Sequence, residues 1–205
     1  MDGPRALTVQ LDPLPDRILT AYHEAGHAVV GLFLGRVLEH VDIEQTDERG
    51  GQTKFEDLPA DAWEPCTEFD ETRSVIEVEM VIDWAGSLSQ AKVAGLFHDD
   101  PAVLTGFGVP RRGGQIDRGS DIDHVYQLAE MVGMAVGEIE PHVELMRQRA
   151  IALVDRPDIW ADVATVADAL LEHDRLSGDE VLELLDTDEA KARRLEAVKG
   201  PRRLI

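Results

Sequence analysis

The chain has 205 residues, 43% of them apolar, a size and composition that suit one domain with a sizeable core. Its 41 acidic and 20 basic residues give a formal net charge of −21, which disfavours nucleic acid and anionic membrane surfaces as partners. No apolar run is as long as a membrane span, and the N-terminus lacks the features of a signal peptide. The single cysteine, Cys66, cannot form an intramolecular disulfide. We therefore predict a cytoplasmic protein without membrane segments.

Residues 1–15 contain three prolines and no periodic apolar pattern, which indicates an irregular lead-in. Helical spacing of apolar residues then begins at Ile18. We predict a helix that starts near Asp16, a plausible N-cap, and ends near Leu34, where Gly35 can adopt a left-handed conformation.

This first predicted helix contains a His-Glu-x-x-His motif, formed by His23, Glu24 and His27. Because four residues make about one helical turn, both imidazoles leave the same face and can bind one metal ion. In metalloproteases with this motif, the glutamate takes a proton from a metal-bound water. The motif also arises by chance, in which case the three residues are ordinary polar positions on a helix. Gly26 favours a site or a close packing contact, since a mid-helix glycine costs about 1 kcal/mol relative to alanine.

The middle of the chain alternates between strand and helix patterns. Apolar and polar residues alternate over residues 37–44 and again over 52–56, with a glycine-containing turn between them, which predicts a β-hairpin. In a metallopeptidase, such a strand can pair with an extended substrate. Helical spacing then extends over residues 69–97, as one kinked helix or as two short helices that meet at Gly86. The cluster at residues 98–100 (HDD) either supplies metal ligands or ends the helix in solvent.

Residues 104–119 are rich in glycine and lack the Walker pattern, so we predict a mobile loop and not a phosphate-binding site. Ser120 then opens a helix as its N-cap, with Asp123 in place of the usual glutamate of a capping box. Asp121 lies in the first turn of this helix. It either interacts favourably with the positive end of the helix dipole or is a third metal ligand.

From Ile139 onward the pattern predicts only helices. The first has Pro141 in its opening turn, the second covers residues 159–171, and the third is opened by a capping box at Ser177 and ends near Leu185. The charged tail after it is predicted to be frayed.

Several of these stretches, in this order, resemble the peptidase domain of the FtsH-type ATP-dependent zinc proteases. The resemblance is carried by residues 21–31 (AYHEAGHAVVG), the hairpin at 40–55, the segment 84–88 (WAGSL), the segment 119–122 (GSDI) and the C-terminal helices at 170–185. It implies a mainly α fold, a helical zincin-like metallopeptidase domain with a small β-hairpin or sheet. That domain would span residues 16–185, between the lead-in at 1–15 and the charged tail at 186–205.

The same resemblance implies that His23, His27 and Asp121 bind Zn²⁺ and that Glu24 is the general base. Two neutral imidazoles and one carboxylate suit zinc and leave a fourth position for water. Asp123 is a rival ligand, but an offset of two residues on a helix directs its side chain elsewhere. The resemblance does not name substrate-binding residues in this chain.

The sequence also departs from the family. It contains no ATPase module and no membrane spans, Ser120 stands where the family has asparagine, and the connection after Met131 is shorter than the family's. We therefore predict a stand-alone, ATP-independent zinc endopeptidase whose partner is a peptide or protein substrate. Two alternatives stay open: a non-catalytic regulatory or protein-interaction domain that keeps the fold, and an amide hydrolase with a small substrate. No pattern in the sequence points to a particular oligomeric state.

Overall fold

The computed structural model describes residues 14–45, 50–58, 69–100, 103, 120–132 and 136–187. Within these ranges lie the helices α1 (Asp16–Phe33), α2 (Phe69–Val93), α3 (Asp121–Met131), α4 (Val136–Val154), α5 (Pro157–His173) and α6 (Gly178–Leu185), and the strands β1 (Leu38–Asp42), β2 (Gln52–Phe55) and β3 (Arg175–Ser177). The prediction of a mainly α fold with a small sheet is thus confirmed.

Three predictions concern segments outside the described residues. They are the irregular lead-in before residue 14, the glycine-rich loop at 104–119 and the frayed tail after residue 187. The division of the chain into residues 1–15, 16–185 and 186–205 stays a prediction.

Helix α1, which carries the His-Glu-x-x-His motif, is covered on almost every side along its second half. Its buried residues are Ala21, Glu24, Ala25, Gly26, His27, Ala28, Val29, Val30 and Gly31. It packs mainly against α2 and α5. At the contact with α2, a Cβ atom on Gly26 would lie 2.5 Å from Ser89 Oγ and 2.6 Å from the carbonyl oxygen of Ala85. Gly26 therefore allows the two helices to approach closely, which is a packing reason of the kind that its mid-helix position indicates.

The two ends of α1 test the predicted start and stop signals. The N-cap position is occupied by Pro15, which has φ −57° and ψ 140° and makes no side-chain cap hydrogen bond. The prediction that Asp16 is the cap is therefore wrong, because Asp16 is already the first helical residue, where its charge still interacts favourably with the helix dipole. At the other end Gly35 has φ +92°, which confirms the predicted left-handed glycine.

The three strands form one antiparallel sheet in the order β2-β1-β3. The pairing of β1 with β2, in which Val41 lies opposite Thr53, confirms the predicted hairpin. The pairing of β1 with β3, in which Val41 also lies opposite Leu176, corrects the prediction that the chain after residue 139 is entirely helical. A strand of three residues is too short to show a period of two, so β3 takes its conformation from its partner and from the burial of Leu176.

Residues 69–93 form a single helix, α2, so the alternative of two short helices is wrong, and the helix ends before the predicted residue 97. Gly86 lies in its middle and faces α1. A Cβ atom on Gly86 would lie 2.5 Å from Cε1 and 2.7 Å from Cδ2 of His27. This glycine therefore marks a close contact with the motif and not a break in the helix.

The C-terminal helices agree with the prediction in one start out of three, because α4 and α5 begin at Val136 and Pro157, ahead of the predicted residues 139 and 159. Pro141 was expected in a first turn, but α4 already begins at Val136, so Pro141 lies inside the helix near its exposed start, where water can replace the missing hydrogen bond. Helix α5 begins at Pro157, which has the fixed φ that suits a first helical position. The predicted capping box of α6 is confirmed: Ser177 Oγ accepts from the Glu180 amide, and the Glu180 carboxylate accepts from the Ser177 amide.

The core lies between α1 and the helices around it. Its largest fully buried side chains include Ile76, Met80 and Leu88 on α2, Ile122 and Leu128 on α3, Met146 on α4 and Leu170 on α5. Each such burial stabilises the fold by about 1.5–3 kcal/mol, so the core fixes α2 and α3 firmly against the motif helix. None of the helices in the described ranges combines the length and the apolar character that crossing a membrane requires.

Candidate metal centre

Three side chains of metal-ligand type meet where α1, α2 and α3 come together. Each offers one ligand atom, and these atoms of His23, His27 and Asp121 all lie within 4.8 Å of one another. Asp121 Oδ2 is 2.8 Å from Nε2 of His23 and 3.3 Å from Nε2 of His27, and the two Nε2 atoms are 3.0 Å apart. The helical spacing places both imidazoles on one face of α1, and the fold brings the first turn of α3 to them.

The second ring nitrogen of each histidine has its own hydrogen-bond partner. His27 Nδ1 is 2.7 Å from the carbonyl oxygen of Ile82, and His23 Nδ1 is 2.9 Å from Gln90 Oε1. Both partners are acceptors, so each Nδ1 carries the hydrogen and each neutral imidazole presents the lone pair of Nε2 to the centre. Hydrogen bonds of this kind fix the tautomer and the orientation of metal-binding histidines.

The three converging atoms are therefore all acceptors, and they repel one another unless a cation or a proton lies among them. A tetrahedral zinc site with bonds of about 2.0–2.1 Å has ligand atoms about 3.3 Å apart. The observed separations of 2.8, 3.0 and 3.3 Å are close to that spacing. The donor set, two imidazole nitrogens and one carboxylate oxygen, and its spacing both fit zinc.

The electrostatics of the centre also favour positive charge. Burial lowers the pKa of His27, but the charge and hydrogen bond of Asp121 outweigh burial and raise that pKa to about 10. Burial raises the pKa of Asp121, while the two imidazoles lower it far more, so the pKa of this carboxyl is well below its usual range. A proton thus stabilises the centre when no metal is bound, and a metal ion must displace that proton to bind.

Glu24 lies beside these three residues, buried at 8% exposure, and lines the same cavity of about 320 Å³. The hydroxyl of Thr53 on β2 is 2.8 Å from Glu24 Oε2 and donates to it. A Cβ atom on Gly51 would lie 2.8 Å from Glu24 Oε1 and 2.9 Å from the carbonyl oxygen of Asp42. Glycine at position 51 therefore keeps space around the carboxylate, while Thr53 fixes its orientation.

Two carboxylates of α2 line the cavity, and each forms an ion pair with a residue that does not line it. Asp83 Oδ2 accepts a 2.8 Å hydrogen bond from His124 Nδ1, and Glu79 pairs with Arg36 at 2.8 Å. Burial raises the pKa of Asp83, and His124 partly offsets that effect. The hydrogen bond to Asp83 raises the pKa of His124.

Other predicted candidates do not join the centre. Asp123 accepts a hydrogen bond from Gln127, one turn further along α3, and does not belong to the group of ligand-type residues found in the described ranges. His98 lies 3.8 Å from Asp155, so the idea that residues 98–100 supply ligands has no support in the structure. The Ser120 cap is confirmed, since its Oγ accepts from the Asp123 amide.

The structure also identifies residues that sequence reasoning missed, namely Thr53, Asp83, Gln90 and His124. Gln90 follows Gly86 by one helical turn, so the two residues lie on the same side of α2. A polar side chain at this spacing from a glycine in a helix contact was the signal in the sequence that could have identified Gln90. Asp83 and His124 gave no such signal, because the sequence does not show that α2 and α3 are neighbours.

Comparison with known proteins supports a distant relationship to the zinc proteases. The chain is 30% identical over 189 residues to the ATP-dependent zinc metalloprotease FtsH 1 of Symbiobacterium thermophilum. The match covers 83% of this chain and 29% of that protein, so the chain spans less than a third of the length of this relative. No protein-family model matches the chain. The similarity is compatible with a metalloprotease-like domain and with zinc as its metal.

Proposed function

We propose that the chain is a zinc-dependent metallopeptidase that hydrolyses internal peptide bonds. His23, His27 and Asp121 are the ligands, and Glu24 is the general base. The main support is the convergence of three ligand atoms with their lone pairs directed at one point, beside a buried carboxylate in the same cavity. The printed name of the relative, a zinc metalloprotease, supports the same function.

The chemistry follows from the arrangement of the chain's own residues. Zinc bound by these ligands would polarise a scissile carbonyl and lower the pKa of a bound water. Glu24 accepts the proton of the attacking water through its carboxylate, which the hydrogen bond from the Thr53 hydroxyl to Oε2 holds in place. It then returns this proton to the leaving amine, so the base acts as the acid of the second step.

The edge of the sheet offers a place for the substrate. Strand β2 is the outer strand next to Glu24, and β1 is its strand partner within the described residues. An extended peptide that pairs with the edge of β2 opposite β1 would pass alongside Thr53 and Glu24. Edge pairing uses main-chain hydrogen bonds, so it suits peptides and flexible protein segments of varied sequence.

The test is Glu24→Gln, with Glu172→Gln on the exposed surface of α5 as a matched control. Glu24→Gln should bind zinc as the wild type does but cleave a mixed peptide library about 10²–10⁴ times more slowly, because the proton acceptor is lost. Glu172→Gln should keep both properties. Equal cleavage by the wild type and Glu24→Gln would contradict the proposed role of Glu24. Peptide binding without any cleavage by the zinc-loaded wild type would instead favour the protein-interaction alternative.

A further inference from the structure

Two carboxylates that line the proposed active site take no part in the mechanism above. Glu79 and Asp83 lie one helical turn apart on α2, so both side chains leave the same face of that helix and both line the cavity. Ile82, which directly precedes Asp83, accepts the hydrogen bond from Nδ1 of His27 at 2.7 Å through its carbonyl oxygen. This turn of α2 therefore forms the cavity wall directly beside the metal centre.

The lining of the cavity carries an excess of negative charge. It includes four carboxylates, those of Glu24, Glu79, Asp83 and Asp121, and within the described residues it includes no lysine or arginine. A bound zinc ion offsets two of the four charges. The chain as a whole has a formal net charge of −21, so its long-range field attracts cations to the protein. A positively charged substrate group is thus attracted both at a distance and within the cavity.

The two carboxylates of α2 each keep one oxygen for a further partner. Arg36 Nε is 2.8 Å from Glu79 Oε1, and His124 Nδ1 donates to Asp83 Oδ2. In the described parts of the chain, Glu79 Oε2 and Asp83 Oδ1 have no hydrogen bond. Burial raises the pKa of both carboxyl groups, and a neighbouring carboxylate adds to the rise in each case, Asp83 for Glu79 and Asp121 for Asp83. A cation between the two side chains would relieve this repulsion.

The lining also offers apolar surface beside these carboxylates. Thr53 and Phe55 lie two positions apart on β2, so both are on the face of the strand that is turned to the cavity, and Ile82 adds apolar surface from α2. Arg36, which does not line the cavity, shows how this surface receives a cation. Its guanidinium carbon is 5.4 Å from the centroid of the Phe55 ring, and its Nε pairs with Glu79. The ring and the carboxylate already hold one basic side chain from outside the cavity.

We propose that the cavity takes a lysine or arginine side chain of the substrate and places its charge between Glu79 and Asp83. The aliphatic stem of this side chain would pack against Phe55 and Ile82. The inference rests on the proposed peptidase function and names its substrate class, basic peptides and basic flexible segments. A peptide paired with the edge of β2 opposite β1 would direct every second side chain to the face that carries Thr53 and Phe55, and so into the cavity. Glu79 and Asp83 are then residues that determine specificity.

Two small ligands isolate the charge of the substrate side chain without any need for turnover. Both are mercaptoacyl dipeptides, whose sulfur binds zinc. One carries lysine next to the mercaptoacyl group, and the other carries norleucine, which has the same four side-chain carbons without the ammonium. Calorimetry with the zinc-loaded wild type should show that the lysine ligand binds about tenfold or more tightly than the norleucine ligand, since only lysine gains hydrogen bonds between charged groups.

Matched variants assign this preference to the two carboxylates. Glu79→Gln and Asp83→Asn should each reduce the preference for lysine, and the double variant should reduce it to less than about twofold, because no charged acceptor is left beside the ammonium. The norleucine affinity should stay within about twofold of the wild type in all three variants, which shows that each one is folded and holds zinc. Glu172→Gln on the exposed surface of α5 is the control and should keep the wild-type preference.

The outcomes are distinct. Equal wild-type affinities for the two ligands, or a lysine preference that survives in the double variant, would overturn this inference even in a protein that cleaves peptides. A lysine preference that depends on both carboxylates, in a protein that cleaves no peptide, would support the inference about the cavity and refute the proposed function. A zinc-loaded wild type that binds neither ligand would contradict both.

Discussion

Gly86→Ala should strongly weaken zinc binding although it adds only one methyl group in a helix. A Cβ atom at this position would lie 2.5 Å from His27 Cε1, whereas ordinary contacts begin at 3.4 Å, so the imidazole must retreat by about 0.9 Å. The ring has little freedom to do so, because His27 is 7% exposed and its Nδ1 is held by the Ile82 carbonyl. Zinc–ligand distances tolerate deviations of about 0.2 Å, so a displacement of this size breaks ligation.

Losing a hydrogen bond that supports a metal ligand lowers metal affinity by up to about a hundredfold. Displacing the ligand itself should cost more than that, so we expect zinc affinity to fall by more than about a hundredfold. Competition with a chromophoric chelator measures this loss. Gly137→Ala is the matched control, because it is also a helical glycine and no atom of the described residues lies within 4 Å of its Cβ position. It should leave zinc affinity unchanged and stabilise the protein by up to about 1 kcal/mol through helix propensity. Wild-type zinc affinity in Gly86→Ala would refute the inferred position of His27.

Substitutions at three further positions test the support of the site and the stability of the fold. Gln90→Ala should lower zinc affinity about 10- to 100-fold in the same chelator competition, whereas Gln90→Glu, which keeps an acceptor for His23 Nδ1, should bind zinc as the wild type does. Gly26→Ala should lower the free energy of unfolding of the metal-free protein by about 1–3 kcal/mol in urea titrations, since a Cβ overlaps α2. Burial raises the pKa of Glu77, but hydrogen bonds from two arginines outweigh burial and lower it below the usual 4.5. The stability that Glu77→Gln removes should therefore be largest near about pH 7 and shrink as the pH falls towards about 3; a constant difference would contradict the depressed pKa.

Local sequence signals predicted the parts of the site that lie on one element. The four-residue spacing of His23 and His27 is a property of α1 alone, and it placed both imidazoles on one face before any tertiary contact was known. Gly35 and the Ser177 capping box were predictable for the same reason, since each depends on residues within one turn. The choice of Asp121 over Asp123 came from the family resemblance, and the structure brings Asp121 to the two histidines.

Contacts between distant elements could not be derived in this way. The Gln90 hydrogen bond to His23 depends on how α2 packs on α1, and the Thr53 hydrogen bond to Glu24 depends on the position of β2. Strand β3 was missed because its three residues carry no period, and their conformation depends on pairing with β1. The misplaced cap at Asp16 has a simpler cause: aspartate favours both the cap and the first turn, and only the backbone angles of Pro15 decide between them.

The most direct test of the central claim is the zinc content of the purified protein by elemental analysis. The account predicts close to one zinc per chain in the wild type and in Asp123→Ala, and little in His23→Ala or Asp121→Ala, because only the last two lose a ligand. All four proteins should keep their helical circular dichroism. A wild type that binds no zinc, even after zinc is added, would contradict the metal centre and the peptidase function that depends on it.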